Sequence, residues 1–463
     1  MHFSTATQCA RLVRFALVVL IFPSAAGAVT TKADTLLGIT RLSERELLNK
    51  GEGGSIAALP GPAFSPDLGL VVGIVGGYYF NGRRTDPLFA YEPYQYAVTG
   101  VVSASTRGLF ALTTRYDAPH YRQSLYRVRA EVRFERNPAA TYYGTGEASL
   151  EPLTAPDGRR FTRFVDYQEA LLAIQDGHTY AYFDNYLNRM VSGRVELGRN
   201  LGRSPLRVFA GLVAGRSWID DYTADDVPAK LTPDAKERTD ATMLETRLAL
   251  DSRAGRIVGT NGGWNNGIVL GLAYDSRDLE PHPRRGVFHD ATLSAYSGLL
   301  GSDFDYAVAT LTARIYHKPF PAFDAVLAAR VLYSSRFGTV PFFMTTAIPT
   351  ADRSFTGLGG DASMRGYREG RFSAREMMLM NLEFRWVFFE RRVGGQFVEV
   401  MMVPFLDAGG VFDSLSRTSF DDLRHSYGAG LRFGYNQAFV VSMDFGWSRE
   451  DPGMFYLAVG HIF

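Results

Sequence analysis

Residues 427–435 read YGAGLRFGY and residues 439–447 read FVVSMDFGW. In the first stretch Tyr427, Ala429, Leu431, Phe433 and Tyr435 share one parity, and Gly428, Gly430, Arg432 and Gly434 share the other. In the second, Phe439, Val441, Met443, Phe445 and Trp447 oppose Ser442, Asp444 and Gly446. Successive side chains of a strand point to opposite faces, so each stretch reads as a β-strand with one apolar face and one polar, partly charged face.

The same alternation recurs upstream. Residues 125–135 set Tyr126, Val128, Ala130, Val132 and Phe134 against Arg127, Arg129, Glu131, Arg133 and Glu135; residues 378–388 set Met378, Met380, Leu382, Phe384, Trp386 and Phe388 against Asn381, Glu383 and Arg385. A soluble β-sandwich alternates in the same way. Three other features decide between the two. The first 28 residues read as an export signal, with Arg11 and Arg14 before the apolar run FALVVLIF (residues 15–22) and a small-residue cleavage site at Ala26-Gly27-Ala28. Aromatic residues sit at strand ends (Tyr78, Tyr79, Phe80, Trp447, Phe455, Tyr456), as in the girdles of a membrane barrel, and the pattern runs on to Phe463. A strand edge cannot be left unpaired in hydrocarbon, so the sheet must close. The expected fold is all-β: a sixteen-stranded antiparallel transmembrane β-barrel in the bacterial outer membrane, with apolar side chains toward lipid and charged ones toward a wet lumen.

Composition agrees with this. The 463 residues are 46% hydrophobic and 21% charged, yet no apolar run approaches the roughly 20 residues of a membrane helix. Basic and acidic residues number 49 and 48, so no electrostatic footprint for nucleic acid exists. The one cysteine, Cys9, lies within the signal. Arginine far outnumbers lysine, which fits bidentate pairing in the lumen or a bias in base composition.

The expected strands are residues 68–80, 95–106, 108–117, 125–136, 163–175, 186–199, 206–217, 266–275, 287–298, 304–316, 324–334, 375–388, 398–409, 427–435, 438–447 and 455–463. Connectors then alternate short and long, with residues 218–265 and 335–374 the longest. Residues 29–67 form a short N-terminal periplasmic segment, in which Ser43 and Glu46 have capping-box spacing before Leu47 and Leu48, and Gly51 stands at a C-cap position. It is either a solvated stub or a small helix within the lumen.

The most informative connector is residues 357–372, GLGGDASMRGYREGRF. Gly359 and Gly360 permit close backbone approach, Arg365 is followed by Gly366 and Tyr367, and Arg368 and Arg371 follow. Two further segments stand out: GLAYDSRDLEPHPRRGVF, with Asp275, Arg277, Asp278 and Gly286, and FLDAGGVF (405–412), with Phe405, Asp407 and Gly409. In these motifs and their order the chain resembles the outer-membrane assembly factors typified by BamA and TamA, also called bacterial surface antigen barrels. The resemblance implies that the Arg-Gly-Tyr loop folds into the lumen and docks on the strand carrying Phe405 and Asp407, and that the Asp275–Gly286 segment is a strand-turn signature. Strand parity agrees, because Phe405 and Asp407 share a face with Glu399, so Arg365 is expected to pair with Asp407 and pack on Phe405.

Family members of this kind capture polypeptide through periplasmic domains of some 75 residues, which residues 29–67 cannot hold. Either a separate periplasmic partner supplies that module, or the barrel does something else. The leading expectation is movement or insertion of polypeptide or lipid; a passive diffusion pore and a structural scaffold barrel are the alternatives. Gly69, Gly73, Gly76 and Gly77, on what reads as the first strand, weaken a seam against the last strand at Phe463, or merely accommodate curvature. Expected partners are outer-membrane lipid, that periplasmic protein and a second copy of the chain. No enzyme is expected, nor cofactor or metal: nucleophile-elbow and zinc motifs are missing, and His178 and His425, near aspartates, read as loop residues. His461 shares the parity of apolar Phe455 and Leu457 and reads as interfacial.

Overall fold

A computed structural model gives the structure of the chain. It describes residues 35–463 apart from 37–38, 43, 45–46, 48–49, 203, 224–241, 281, 321–322, 353, 394–395 and 436–438. The expected export signal and the cap of the expected small helix (Ser43, Glu46, Leu48) lie outside the described residues.

Sixteen strands close into an antiparallel barrel in which each strand pairs with its neighbour in sequence. They are β1 Gly54–Ser65, β2 Gly69–Phe80, β3 Tyr96–Ser105, β4 Phe110–Ala118, β5 Tyr126–Thr141, β6 Asn185–Asn200, β7 Leu206–Asp221, β8 Gly262–Asp275, β9 Gly286–Tyr296, β10 Tyr306–His317, β11 Ala325–Gly338, β12 Glu376–Val393, β13 Gln396–Phe412, β14 Arg424–Tyr435, β15 Phe439–Ser448 and β16 Met454–Val459. Closure rests on a single registered pair, Leu457 with Phe64, between β16 and β1. By contrast, β12 and β13 run side by side over most of their 18 and 17 residues.

The alternation reads out as two chemically distinct faces. Val132, Val195, Leu212, Leu270, Leu406 and Leu431 are exposed on the outer wall. Arg314, Arg330, Arg385, Arg432, Glu383, Glu399 and Asp407 are buried inside. Charged groups survive such burial only when paired and hydrogen-bonded, so the lumen must be a network rather than a collection of free charges.

Two expected elements differ, and their effects on the strand count cancel. Residues 163–175 are not a strand: Phe164–Leu172 is a helix, α1, with Phe164, Tyr167 and Leu171 buried. That spacing is one face of a helix, and the Tyr167 hydroxyl donates to Asp184 at 2.6 Å. The missing strand is β1, within the segment expected to precede the barrel, so the barrel begins at residue 54 rather than 68. Its sequence, GSIAALPGPAFS, lacks an alternating polar face and carries Pro60 and Pro62, and so reads as a loop. As a result, the first four connectors lie at the opposite barrel end from the one expected. The turn 106–109 joins the long loops, and residues 81–95 join the short turns. The apolar stretch 243–251 also contributes a helix, α2 Arg247–Arg253, within the loop between β7 and β8.

The segment before β1 packs on connector 81–95. Lys50 Nζ donates to the carbonyls of Phe89 (2.6 Å) and Glu92 (2.7 Å) and lies over the Phe89 ring at 4.2 Å. Burial pulls the Lys50 ammonium down to about 8.

If α1 sits in a loop outside the wall, Val165→Cys will react in intact cells with a membrane-impermeant thiol reagent. Leu212→Cys, on the lipid face, will not. Equal protection of both would put residues 163–175 back in the membrane.

Candidate functional site

The loop between β11 and β12 turns into the lumen. A short hairpin, Ala347–Pro349 with Ser354–Thr356, starts it, and Leu358 and Phe372 bridge its neck through N–H···O bonds of 3.3 and 3.1 Å. Within the neck, the Gly360 N–H donates to the Tyr367 carbonyl at 2.9 Å, and the Ser363 hydroxyl braces Gly359. Gly366 adopts φ +96°, and a Cβ there would lie 2.9 Å from the Trp447 carbonyl carbon, so only glycine fits the turn against β15. Its N–H donates to the Tyr456 hydroxyl at 3.0 Å, and its carbonyl accepts from Ser448 at 2.5 Å.

This tight turn delivers Arg365 to the lumenal wall, where it is fully buried. Its Nε and Nη2 donate to Asp407 Oδ2 and Oδ1, each at 2.9 Å, while its backbone N–H reaches Oδ2 at 3.1 Å. Nη1 donates to Glu383 Oε1 at 2.7 Å and to Asp444 Oδ2 at 3.4 Å. The guanidinium lies 3.4 Å from the Phe405 ring centroid. Arg432 grips Asp444 at 2.7 and 3.0 Å, and Arg385 grips Glu383 at 2.8 Å. Three arginines and three carboxylates therefore form one charge-balanced cluster spanning β12 to β15. Fixed forks meeting carboxylates in a dry site give strong, directional bonds.

Flanking contacts tie the loop to other elements. Asn381 donates to Asp407 (2.8 Å) and to the Ser363 carbonyl (2.6 Å), and Arg330 donates to Asn381 Oδ1 (2.9 Å) and the Ala362 carbonyl (2.8 Å). Tyr367 packs on Phe372 and donates to the His425 carbonyl at 3.2 Å. Arg371 holds Glu450 through two bonds of 2.8 Å, while the Glu369 N–H donates to Asp67 Oδ2 at 2.9 Å. Gly409 leaves the space that Met364 fills, since a Cβ there would come within 2.6 Å of its sulfur.

The remaining sequence-derived positions lie elsewhere. Asp275 holds Arg277 at 2.9 and 2.7 Å, Asp278 accepts the Arg284 N–H at 2.9 Å, and Gly286 (φ +102°) ends the turn. This turn lies at the short-turn end of the barrel. The seam glycines are not at the seam. Gly73, Gly76 and Gly77 lie on β2, where the Val102, Ala57 and Val98 carbonyls would come within 2.6 to 2.9 Å of a Cβ, and Gly69 starts that strand. Nor does Phe463 pair along the wall, because residues 460–463 turn into the lumen. His461 is accordingly buried rather than interfacial: its Nε2 lies 2.8 Å from His282 Nδ1. His425 belongs to β14 rather than to a loop.

Glu383, Asp444, Arg432 and Asn381 complete the dock although sequence reasoning assigned them no role there. Each stood on a polar strand face, but parity cannot say which rows converge across a lumen. Beside β3 to β6 lies a cavity of about 210 Å³, lined by Thr99, Arg115, Asp117, Arg127, Glu131 and Arg194 among others.

Removing one partner of a buried pair costs about 3–5 kcal/mol. Asp407→Ala and Arg365→Ala should each destabilise the barrel by about that amount and expose residues 357–372 to protease. The double variant should lose clearly less than the sum of the two, as groups sharing one interaction do. Strict additivity of the unfolding midpoints would contradict the pairing.

The Omp85 superfamily domain model matches residues 129–463, and a domain of unknown function, DUF5982, matches residues 35–95, the span that joins the N-terminal segment to β1, β2 and connector 81–95. A search of curated protein sequences gave no significant match. Among solved structures, BamA from Haemophilus ducreyi lacking POTRA domains 1–3 is similar at 13% identity, covering 89% of this chain and 70% of that one, with a TM-score of 0.50. CdiB from Escherichia coli is similar at 10% identity, covering 90% and 69%, with a TM-score of 0.51. The Omp85 match spans well over half the sequence and contains the loop, its dock and the strand-turn signature: this chain belongs to the Omp85 superfamily of outer-membrane β-barrels.

Proposed function

We propose that this protein moves or inserts polypeptide at the outer membrane without enzymatic chemistry, on cargo presented by a separate periplasmic protein. The carrying observation is a contrast between neighbouring parts of the wall. The Arg365 cluster locks β12 to β15, and one strand further on β16 meets β1 through one registered pair. A wall stiff across four strands and barely zipped beside them has its opening built in. Membership of a superfamily of insertion and translocation barrels supports the same reading. So does the exposure of β1 residues 54–58 and 60–62 on both faces, which leaves the lumen beside the seam unfilled. Lipid as cargo is compatible with the same seam, and separating the two falls to experiment.

A passive pore fits less well. The inward loop occupies the lumen beside β12 to β15, and the charges around the cavity beside β3 to β6 are mixed in sign, so they select for neither anions nor cations.

Depletion in the native host, with quantification of outer-membrane and exported proteins and of outer-leaflet lipid, tests the proposal. A selective fall in a few proteins, restored by the wild-type gene but not by Asp407→Lys, is the expected result. An unchanged proteome, together with steady single-channel conductance that rises when residues 357–372 are deleted, would make it a pore instead.

A further inference from the structure

Two prolines, Pro60 and Pro62, stand on the strand that forms one side of the short seam. The direction of the β1 hydrogen bonds follows from its neighbours. The Leu70 carbonyl accepts from Thr106 and the Phe80 carbonyl from Gln95, so even-numbered residues of β2 bond toward β3 and odd-numbered ones toward β1. Register pairs Gly61 with Gly73 and Ala63 with Val71, so odd residues of β1 bond to β2 and even residues face the seam. Gly54, Ile56, Ala58, Pro60, Pro62 and Phe64 are those even residues, and proline has no N–H. On β16 the Gly460 N–H donates to Val440 on β15, so odd residues there face the seam, which agrees with the Leu457–Phe64 pair.

Continuing that register would place Val459 opposite Pro62, His461 opposite Pro60 and Phe463 opposite Ala58. The first two pairs would each form one bond instead of two, leaving the Val459 and His461 carbonyls without donors at the membrane wall. Unmet polar groups are costly there. The chain leaves the wall just past the first of these positions, with Val459 still paired to Val441 on β15. Gly460 takes φ +95°, and a new set of partners receives the residues beyond it. The His461 ring stacks on His282 with centroids 5.0 Å apart, and His282 Nε2 lies 3.3 Å from Glu399 Oε1. Burial and the neighbouring Arg284 and Arg385 push His282 down to about 3, which leaves the ring neutral and able to share one proton with His461. The Phe463 carbonyl accepts from Arg385 at 2.9 Å, and its ring lies beneath Arg330 and Arg385 at 5.0 and 5.2 Å. Ile462 and Phe463 pack with Tyr316, Val326 and Ala328 on the inner wall.

We infer that Pro60 and Pro62 act as a latch for an open seam: by removing two seam-facing donors of β1 they hold residues 460–463 docked in the lumen instead of paired along the wall. The same deletion limits what can pair with β1 from outside, because a complete two-way ladder is available only along Gly54, Ile56 and Ala58, at the short-turn end. The inference stands whatever the cargo is, since it concerns only where this chain places its own residues.

Disulfide trapping tests it. Ala58→Cys with Phe463→Cys reports the wall-paired state, and Ala63→Cys with Ala458→Cys, next to the Leu457–Phe64 pair, reports a seam intact in either state. In the natural proline background the first pair should crosslink poorly and the second well. Adding Pro60→Val and Pro62→Val restores two ladder bonds, each worth about a factor of five, so the crosslinked-to-free ratio of the first pair should rise roughly 25-fold. If the double variant does not assemble, Pro62→Val alone should raise it about fivefold. No rise in a barrel whose second pair still crosslinks overturns the inference, as does efficient crosslinking of the first pair with both prolines in place.

Discussion

An arginine side chain fully buried inside the barrel is the constraint from which much of this structure follows. Arg365 has no access to water, so its charge is tolerable only with its donors filled and its charge balanced. Asp407 alone does not suffice for this. Glu383 and Asp444 also approach the guanidinium, and two further acids with no cation beside them would reverse the problem, which Arg385 and Arg432 resolve. Four adjacent strands must then keep their register to within hydrogen-bond tolerance, since a slip of one residue turns each of these groups toward lipid. The loop is thus a strut: the wall positions its arginine, and the arginine fixes the wall.

Away from the strut the barrel is less constrained. Strands are longest at β12 and β13 and shortest at β16, whose six residues meet β1 through one registered pair. On β1 both faces are exposed over most of the strand, and proline occupies two seam-facing positions. Proline belongs at such an edge because the donor it lacks has no partner there to lose. Stiffness and weakness are therefore placed on different parts of one closed sheet. That division is what an inserting or translocating barrel requires and what a static pore does not.

Loops over the far mouth extend the strut. Arg371 joins Glu450, the N–H of Glu369 reaches Asp67, and Arg368 lies over the Phe164 ring of α1 at 4.1 Å. The inward segment thereby touches the β1–β2 turn, the β15–β16 turn and the helix-bearing loop between β5 and β6. Both turns flank the seam, so a change in the seam's outer end is felt directly by the loop that carries Arg365.

Alternation of apolar and charged residues, taken with the export signal, the aromatic strand ends and a pattern that runs on to Phe463, was enough to determine a closed transmembrane barrel, because the two faces of a strand are fixed by a period of two and lipid permits no open edge. The family resemblance carried by the Arg365-Gly366-Tyr367 motif, with Phe405 and Asp407 on a lumenal parity, was enough to name the central pair. Other features were illegible for particular physical reasons. β1 carries no alternation because neither face is packed, and α1 imitates a strand over a few residues because short apolar runs satisfy both periods. Those two misreadings left the number sixteen intact while inverting the ends of the first connectors. Tertiary structure alone decided that Glu383, Asp444 and Arg432 meet at Arg365, since parity assigns a side chain to the lumen but not to a neighbour across it. It also decided that residues 460–463 leave the wall, because that choice depends on which hydrogen-bond donors a strand some 400 positions earlier in the chain presents.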